Sequence, residues 1–317
     1  MKVKFWGCRG SIPASYSASQ TRTKIKQVLQ AALDADLKRS EDIDNFLDGL
    51  PFNLRGAYGS NTSCVEIIGG DEVIICDAGS GLRDLGKAMV MMGPNMPKVY
   101  HILISHMHWD HIQGFPFFIP AYMQGVIINI WGCHSNIRET FILQQQEPTF
   151  PVRLEDMGSQ INFHTMDVNE NYQIAGMDIS IWEQPHPGIS YGFRFDHDGQ
   201  SVVYSTDAEH TDELHKEDYP FLDFIRNADV LVFDAQFNLA DHVYIKQNWG
   251  HSSNLVGIEL AVRAGVKKLF LFHSDHMFGD EDLEKFLNDS LRYLEIYDDK
   301  SQLELNIAYD GLLVDLD

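Results

Sequence analysis

The sequence lacks the features that would place the chain in a membrane or in an oxidising compartment. No run of eighteen apolar residues occurs among its 317 positions, so we expect no transmembrane helix. The N-terminus passes directly into an alternating strand pattern, without the apolar segment of a secretory signal. The four cysteines are scattered and include no C-x-x-C pair. A reducing cytoplasm is therefore the expected location.

Basic residues are also scarce. The chain has 24 Lys and Arg against 46 Asp and Glu, which gives a formal net charge of −22. Such a surface repels long polyanions unless a local basic or metal-bearing patch opposes it. We therefore expect no long nucleic acid and no anionic membrane as a partner. A small anionic substrate stays compatible, because a buried pair of divalent cations would dominate the field in its own cleft.

The chain has no repeats and no low-complexity tract, and we interpret residues 1–317 as one domain. Within it, residues 17–55 have helical spacing, as at Ile25, Val28 and Leu29, and predict a helical insertion in the form of a hairpin. A lid, a homodimer contact and a packed accessory are all compatible with this insertion. Elsewhere strand patterns alternate with helical ones, including a helix over 211–227, which favours a layered α/β sandwich.

The strongest motif directly follows an apolar strand pattern over 99–104. His106, His108, Asp110 and His111 fall within six positions. In an extended loop, residues two apart leave the backbone on the same side. One short loop can thus present two imidazoles to one metal ion, and a carboxylate with a third imidazole to another. Imidazole and carboxylate suit Zn, Mn or Fe.

Four further potential ligands each follow the end of a strand pattern, namely Asp77, His186, Asp207 and His273. Considered alone, each of these residues could equally be a metal ligand or a structural residue. Ligands gathered at one edge of a sheet are what a rigid metal site needs. Together with the loop that carries His106, His108, Asp110 and His111, which we call the histidine loop, they predict a metal centre.

This ordered set resembles the five motifs of the metallo-β-lactamase superfamily, over almost the whole chain outside residues 14–56. Residues 5–13, 59–64, 108–117, 205–210 and 249–253 are similar to a bacterial group of metal-dependent hydrolases, also described as class-II-like cyclic nucleotide phosphodiesterases. The resemblance implies an αββα sandwich that binds two divalent ions. Zn is the favoured ion, with Mn or Fe also acceptable.

The resemblance also implies the ligand set. One ion would be held by His106, His108 and His186, the second by Asp110, His111 and His273, and Asp207 would bridge the two. A hydroxide between the ions, oriented by Asp110, could attack phosphorus in line. Asp77 is expected to fix a ligand histidine through its ring N–H. Asp234, which ends another strand pattern, is a second residue of this supporting kind.

His251 is expected to have a different role. A His-x-Ser/Thr of this kind lies opposite the metals in the phosphodiesterase branches, which implies that His251 protonates the leaving oxygen. Two alternatives stay open: His251 could cap the helix beside Ser252, or His251 and His273 could exchange the roles of acid and ligand.

Weaker candidates lie near these motifs. Glu209, His210 and Ser252 are candidate substrate contacts, although an ordinary loop explains Glu209 and His210 equally well. Residues 115–122 predict a core helix rather than a base-stacking platform, and His276 could line the cleft, although exposure at the surface is favoured. The remaining histidines match no motif and are interpreted as structural or solvated, namely His101, His134, His164, His197, His215 and His242.

The leading hypothesis is a dinuclear phosphodiesterase acting on a small anionic phosphodiester, with cyclic nucleotides among the candidates. A lactam hydrolase commonly has Cys in place of Asp207, and a flavin-linked di-iron reductase usually has Glu in place of His108. The branch that processes tRNA 3′ ends is the nearest rival, but it normally carries a long basic arm between the third and fourth motifs. A non-catalytic metal-binding module on the same fold is a further alternative.

Overall fold

Two seven-stranded β-sheets form the centre of the structure, a computed structural model that describes residues 1–210, 215–237 and 249–316. The first sheet has the order β14-β1-β2-β3-β4-β5-β6. Its strands are β1 (Lys2–Gly7), β2 (Cys64–Ile68), β3 (Val73–Cys76), β4 (Val99–Leu103), β5 (Ile127–Gly132), β6 (Gln160–Thr165) and β14 (Leu313–Asp315). Strands β3 to β6 run parallel to one another.

The second sheet has the order β13-β12-β11-β10-β9-β8-β7. Its strands are β7 (Tyr172–Ile174), β8 (Met177–Gln184), β9 (Ser190–His197), β10 (Gln200–Ser205), β11 (Val230–Asp234), β12 (Lys268–Phe272) and β13 (Glu304–Ile307). Strands β10 to β13 are parallel, and β8 shares their direction because β8 and β10 are both antiparallel to β9.

Helices cover the outer faces of both sheets. The described helices are α1 (Ala18–Asp34), α2 (Ile43–Asp48), α3 (Phe52–Arg55), α4 (Gly81–Met91), α5 (Trp109–Ile112), α6 (Ile137–Gln144), α7 (Phe221–Ile225), α8 (Asn254–Ala264) and α9 (Asp280–Tyr297). None of these helices is long and apolar enough to cross a bilayer.

Three apolar clusters hold the layers together. One lies between the sheets, where Phe5 and Val65 of the first sheet belong to the same cluster as Phe193 and Phe272 of the second. A second cluster packs α4 and α6 on the first sheet, and a third packs α7, α8 and α9 on the other. This arrangement confirms the predicted αββα sandwich, because each sheet buries both of its faces.

Residues 18–55 form one long helix followed by two short ones, where the sequence predicts a hairpin. α1 begins with a capping box in which Ser17 and Gln20 exchange hydrogen bonds. It ends where Asp36 adopts a left-handed φ of 53°. α1 contacts α3, and Gln27 of α1 donates to Glu281 at the start of α9 at 2.9 Å.

Two helix predictions fail at proline. The helix predicted over 211–227 is present only as α7, and residues 211–214 lie outside the described residues. Pro220 lacks an N–H and restricts the residue before it, so α7 begins after this proline. Pro116 and Pro120 likewise divide the predicted core helix over 115–122 into two short 3₁₀ turns, with Phe117 56% exposed.

Candidate metal centre

The predicted site residues lie at one edge of the sandwich because the strands that precede them end there. In the first sheet, Asp77 follows β3, and the histidine loop follows the parallel strand β4. In the second sheet, the strands β8, β10, β11 and β12 share one direction, and His186, Asp207 and His273 lie just beyond three of them. The fold therefore brings residues from five separate segments to one cleft.

Three of these residues make the same sharp turn on leaving a strand. Asp77, Asp207 and His273 have φ values of 60°, 52° and 61°. Non-glycine residues rarely adopt this left-handed conformation, and it persists only where the surroundings hold it in place. At each position the turn stops the strand ladder at the edge where the side chains of the two sheets meet.

The first cluster contains His106, His108 and His186 with one oxygen of Asp207. Oδ2 of Asp207 lies 3.6 Å from Nε2 of His106 and 3.7 Å from Nε2 of His186. Nδ1 of His108 lies 3.1 Å from Nε2 of His186. Nδ1 of His186 donates to the carbonyl of Gly250 at 2.7 Å, so the lone pair of Nε2 is directed into the cluster.

The second cluster contains Asp110, His111 and His273 with the other oxygen of Asp207. Oδ1 of Asp207 lies 3.3 Å from Nε2 of His111 and 3.3 Å from Nε2 of His273. Oδ2 of Asp110 lies 3.0 Å from Nε2 of His273 and 3.4 Å from Nε2 of His111. All four side chains are buried. Each oxygen of Asp207 thus faces a different group of imidazoles.

These donors fit two transition-metal ions. The potential ligand atoms of the first cluster lie within 4.8 Å of one another, and so do those of Asp110, His111 and His273 in the second. Nε2 of His106 and Nε2 of His111 are buried and have no hydrogen-bond partner. A buried imidazole nitrogen rarely stays unsatisfied, and a coordinated cation would satisfy both. The fold and these clusters indicate divalent metal binding.

The protonation states also suit metal binding. Burial lowers the pKa of His106, and burial likewise lowers the pKa of His186. Burial alone would raise the pKa of Asp207, but His273, His111 and His106 outweigh it and hold the pKa well below its usual value. Burial would lower the pKa of His111, but Asp207, Asp110 and Asp77 outweigh it and raise this pKa well above its usual value, so a cation at the second cluster would displace the proton of this imidazole.

Asp77 lies outside the second cluster and orients one of its histidines, His111. Its Oδ2 accepts hydrogen bonds from Nδ1 of His111 at 2.7 Å, from the Ser105 hydroxyl at 2.8 Å and from the Tyr204 hydroxyl at 2.7 Å. Its Oδ1 accepts from the backbone N–H of Ser105 at 2.8 Å. Asp77 thus contacts a cluster histidine through its ring N–H, as expected from the sequence analysis, whereas no sequence pattern indicated Tyr204.

His251 lies beside the clusters and pairs with Asp234. Its Nδ1 is 3.0 Å from Oδ2 of Asp234 and 4.0 Å from Oδ2 of Asp207. Burial lowers the pKa of His251, but Asp234 outweighs this effect and raises the pKa to about 9. Ser253, rather than His251, caps α8 by accepting from the N–H of Val256. Since His251, His273 and Asp207 also form a third possible ligand group, the exchange of roles between the two histidines needs an experiment.

The structure does not bring the weaker candidates into the cleft as substrate contacts. His210 is 2% exposed, stacks on Phe233 and bonds Tyr219 through Nδ1 at 2.7 Å. Ser252 donates to the carbonyl of Ala208 at 2.6 Å and accepts from the N–H of His210 at 3.1 Å. Glu209 accepts from the N–H of Gly250 at 2.9 Å. These residues tie the loop after β10 to residues 249–253.

The other histidines take no part in the clusters as far as the structure describes them. His276 is partly exposed and lies 3.5 Å from Asp275, and His242 falls outside the described residues. His134 lies nearer the cleft, where its Nε2 bonds the carbonyls of Gly188 and Ile189 at 3.1 Å each.

Sequence reasoning missed the loop between β1 and α1, which covers the second cluster. The N–H of Ser11 donates to Oδ2 of Asp110 at 2.7 Å. A Cβ atom on Gly10 would lie 2.7 Å from Nδ1 of His273 and 2.6 Å from Nε2 of Gln236. Gly10 is therefore required for close approach of the backbone, a role that no local pattern announces.

The fold and the paired clusters define a metal-dependent hydrolase of the metallo-β-lactamase type. Residues 72–274 match the family described as the beta-lactamase superfamily domain, and the chain belongs to this family. It is similar to a ribonuclease Z of Picrophilus torridus. The two are 24% identical over an alignment of 288 residues, and the match covers 74% of this chain and 86% of the relative.

Two solved structures share the fold. One is the metallo-beta-lactamase fold protein YhfI from Bacillus subtilis, with a TM-score of 0.64, 19% identity and coverage of 98% of this chain and 97% of that one. The other is unliganded yeast PDE1, with a TM-score of 0.61, 13% identity and coverage of 99% and 98%.

Proposed function

We propose that this protein is a dinuclear metal-dependent phosphodiesterase that hydrolyses a small anionic phosphodiester. The observation that carries the proposal is the Asp207 carboxylate, whose two oxygens face separate imidazole clusters. Similarity to ribonuclease Z supports phosphodiester chemistry. Cyclic nucleotides remain among the candidate substrates.

In this proposal His106, His108 and His186 would hold one ion, Asp110, His111 and His273 would hold the other, and Asp207 would be shared between them. Divalent ions bound there, with zinc favoured, would polarise a phosphoryl oxygen and lower the pKa of a water molecule. The oxygens of Asp110 and Asp207 accept hydrogen bonds and can orient the attacking water. The N–H of Ser11 keeps Asp110 in position for this task.

His251 supplies the proton for the leaving oxygen. Asp234 accepts from Nδ1 of His251 at 3.0 Å, which leaves Nε2 as the ring nitrogen available to the leaving group. The N–H of Ala208 donates to the same Asp234 oxygen at 3.0 Å and fixes the carboxylate. A carboxylate in this position keeps the imidazole protonated until the proton is transferred.

A small substrate is favoured over a folded RNA. His186 and Asp207 are separated by the hairpin of β9 and β10 and by short connections only, so this interval holds no arm. The net charge of −22 also opposes a polyanion. The similarity to ribonuclease Z keeps RNA 3′-end processing as the second candidate.

We further propose that residues 17–55 are an accessory segment of one catalytic domain and that the protein is cytoplasmic. All four cysteines are unpaired, as expected in a reducing compartment. A homodimer is compatible with the exposed apolar side chains of α1, and sedimentation of the purified chain would test it.

The experiment is hydrolysis of bis(p-nitrophenyl) phosphate by the metal-loaded chain, with and without a chelator. We expect turnover that the chelator abolishes and added Zn or Mn restores. A chain that binds two ions and releases no p-nitrophenolate would instead be a binding module. Faster cleavage of a precursor tRNA than of small diesters would favour the ribonuclease alternative.

The variant His251→Ala then tests whether His251 is the general acid or a metal ligand. We expect kcat to fall by about 10²- to 10⁴-fold with metal content unchanged. Loss of one ion in His251→Ala, with both ions kept in His273→Ala, would show that the two histidines exchange their assigned roles.

A further inference from the structure

Large apolar side chains are exposed in the segments that carry the residues of the metal centre. Each is between one and four residues from a residue of the site. They are Ile12, Trp109, Ile189, Trp249 and Met277, and we call this group the apolar rim. Such a concentration of exposed apolar side chains marks an interaction site when it surrounds a cleft.

Trp109 is the best placed member of the apolar rim. It lies between His108 of the first cluster and Asp110 of the second, at the first position of α5. Its side chain is nevertheless 78% exposed, so the indole contributes little to the packing of the protein. An indole in this position offers a flat apolar face next to both ion sites.

The neighbouring rim segment is held in a strained conformation. Ile189 has a φ of 62°, which a β-branched residue seldom adopts. The N–H of Ile189 donates to the carbonyl of His186 at 2.8 Å, and His134 bonds the carbonyl of Ile189 at 3.1 Å. Backbone strain of this kind occurs at ligand-binding positions, where surrounding contacts maintain it.

Positive charge is scarce in the described segments of the same region. Residues 7–13, 105–114, 185–190, 205–210, 249–253 and 273–279 contain a single Lys or Arg, namely Arg9. The side chain of Arg9 is buried and donates to the carbonyls of Gly59 at 3.0 Å and Phe278 at 2.8 Å. In these segments, additional phosphates on a substrate would find no cationic side chain to pair with.

We infer that the substrate is a phosphodiester with one negative charge and a flat aromatic ester group, such as a nucleobase-bearing or aryl group, that stacks on Trp109. The inference rests on the proposed phosphodiesterase function, since the ion sites would hold the phosphate and so place its ester groups against the apolar rim. Stacking on an exposed aromatic ring tolerates different bases and adds affinity without charge.

The test compares two esters with the same leaving group. Bis(p-nitrophenyl) phosphate keeps an aromatic ester group after losing p-nitrophenolate, whereas methyl p-nitrophenyl phosphate keeps a methyl group. We expect the ratio of their kcat/KM values to fall by about five-fold or more in Trp109→Leu, as for loss of one stacking contact. Trp109→Phe retains an aromatic face and should keep the ratio within about two-fold of the unsubstituted protein.

Met91→Ala is the matched control, because Met91 is equally exposed at 78% but lies at the end of α4. It should leave the ratio unchanged. An unchanged ratio in Trp109→Leu, or an equal fall in Trp109→Phe, would overturn the inference.

Tryptophan fluorescence separates this inference from the proposed function. Diphenyl phosphate should quench the emission of the metal-loaded chain, diethyl phosphate should not, and Trp109→Phe should lose the quenching. If neither chromogenic ester is hydrolysed, the proposed function fails, and quenching that depends on Trp109 would still support the aromatic site. Equal responses to both phosphates would rule that site out.

Discussion

Oδ2 of Asp77 lies 2.7 Å from Nδ1 of His111 in a fully buried contact between the end of β3 and the histidine loop. This hydrogen bond fixes the tautomer of His111, because the ring nitrogen that donates to a carboxylate carries the proton. Nε2 is then the ring nitrogen that faces Asp110 and Asp207 and that would bind the second ion. The metal centre therefore depends on a residue that does not belong to either cluster.

Asp77→Asn should weaken binding of the second ion. The amide can present its NH2 group to His111 and favour the wrong tautomer, and outer hydrogen-bond partners of this kind change metal affinity by about 10- to 100-fold. Competition with a chelating dye measures the affinity of each ion. Tyr204→Phe removes one donor to Asp77 but keeps the carboxylate, so it should have the smaller effect. Equal affinities in Asp77→Asn and the unsubstituted protein would contradict this role.

Gly10→Ala should disturb His273 through close contact alone. The added methyl group would lie within 2.7 Å of the His273 ring, closer than carbon atoms approach nitrogen. Overpacking of this kind typically costs about 1–3 kcal/mol, and here we expect it to displace a proposed ligand of the second ion. Gly49→Ala is the control, since its nearest contacts would be ordinary ones at 3.5 Å. Elemental analysis should show less bound metal in Gly10→Ala only; full occupancy would mean that the loop between β1 and α1 adjusts without cost.

The ligand candidates could be predicted from sequence because each leaves a local signal. His106, His108 and Asp110 share one motif, and Asp207 and His273 each follow a recognisable strand pattern. Parallel strands in one sheet then end at the same edge, so the fold class already brings these residues together. The layered α/β class followed from the alternation of strand and helix patterns, and the αββα order followed from the resemblance to the metallo-β-lactamase superfamily.

Supporting contacts could not be predicted because they join distant segments. Gly10 and Gln236 acquire their roles only when the loop between β1 and α1 packs against the second sheet, and Tyr204 acquires its role only when the two sheets meet. Sequence proximity also misled: His210 lies three residues from Asp207, yet its ring turns into an aromatic core with Phe221 and Phe233. Nearness along the chain does not determine which way a side chain points after a left-handed turn.

Turnover of a small diester should depend little on ionic strength. A protein that neutralises six to ten phosphates loses about 10³- to 10⁵-fold in affinity between 50 and 200 mM salt. The described loops around the cleft offer no accessible Lys or Arg, so we expect KM for bis(p-nitrophenyl) phosphate to change by about two-fold or less over that range. A steep rise in KM with salt would reveal a cationic groove and favour a polynucleotide substrate.

His210 should make the stability of the protein fall at acidic pH. Burial lowers the pKa of His210 from 6.5 to about 3, so the folded chain keeps this ring neutral where an unfolded chain would protonate it. The stabilisation is therefore complete above pH 6.5 and is lost as the pH falls from 6.5 toward 3, at about 1.4 kcal/mol per pH unit.

In urea unfolding with a chelator present, the free energy of unfolding should fall less steeply between pH 6.5 and 5 in His210→Phe than in the unsubstituted protein. The exposed His215, changed to Gln, is the control and should leave the slope unaltered. Parallel pH dependence in His210→Phe and the unsubstituted protein would show that the ring is protonated in the folded state.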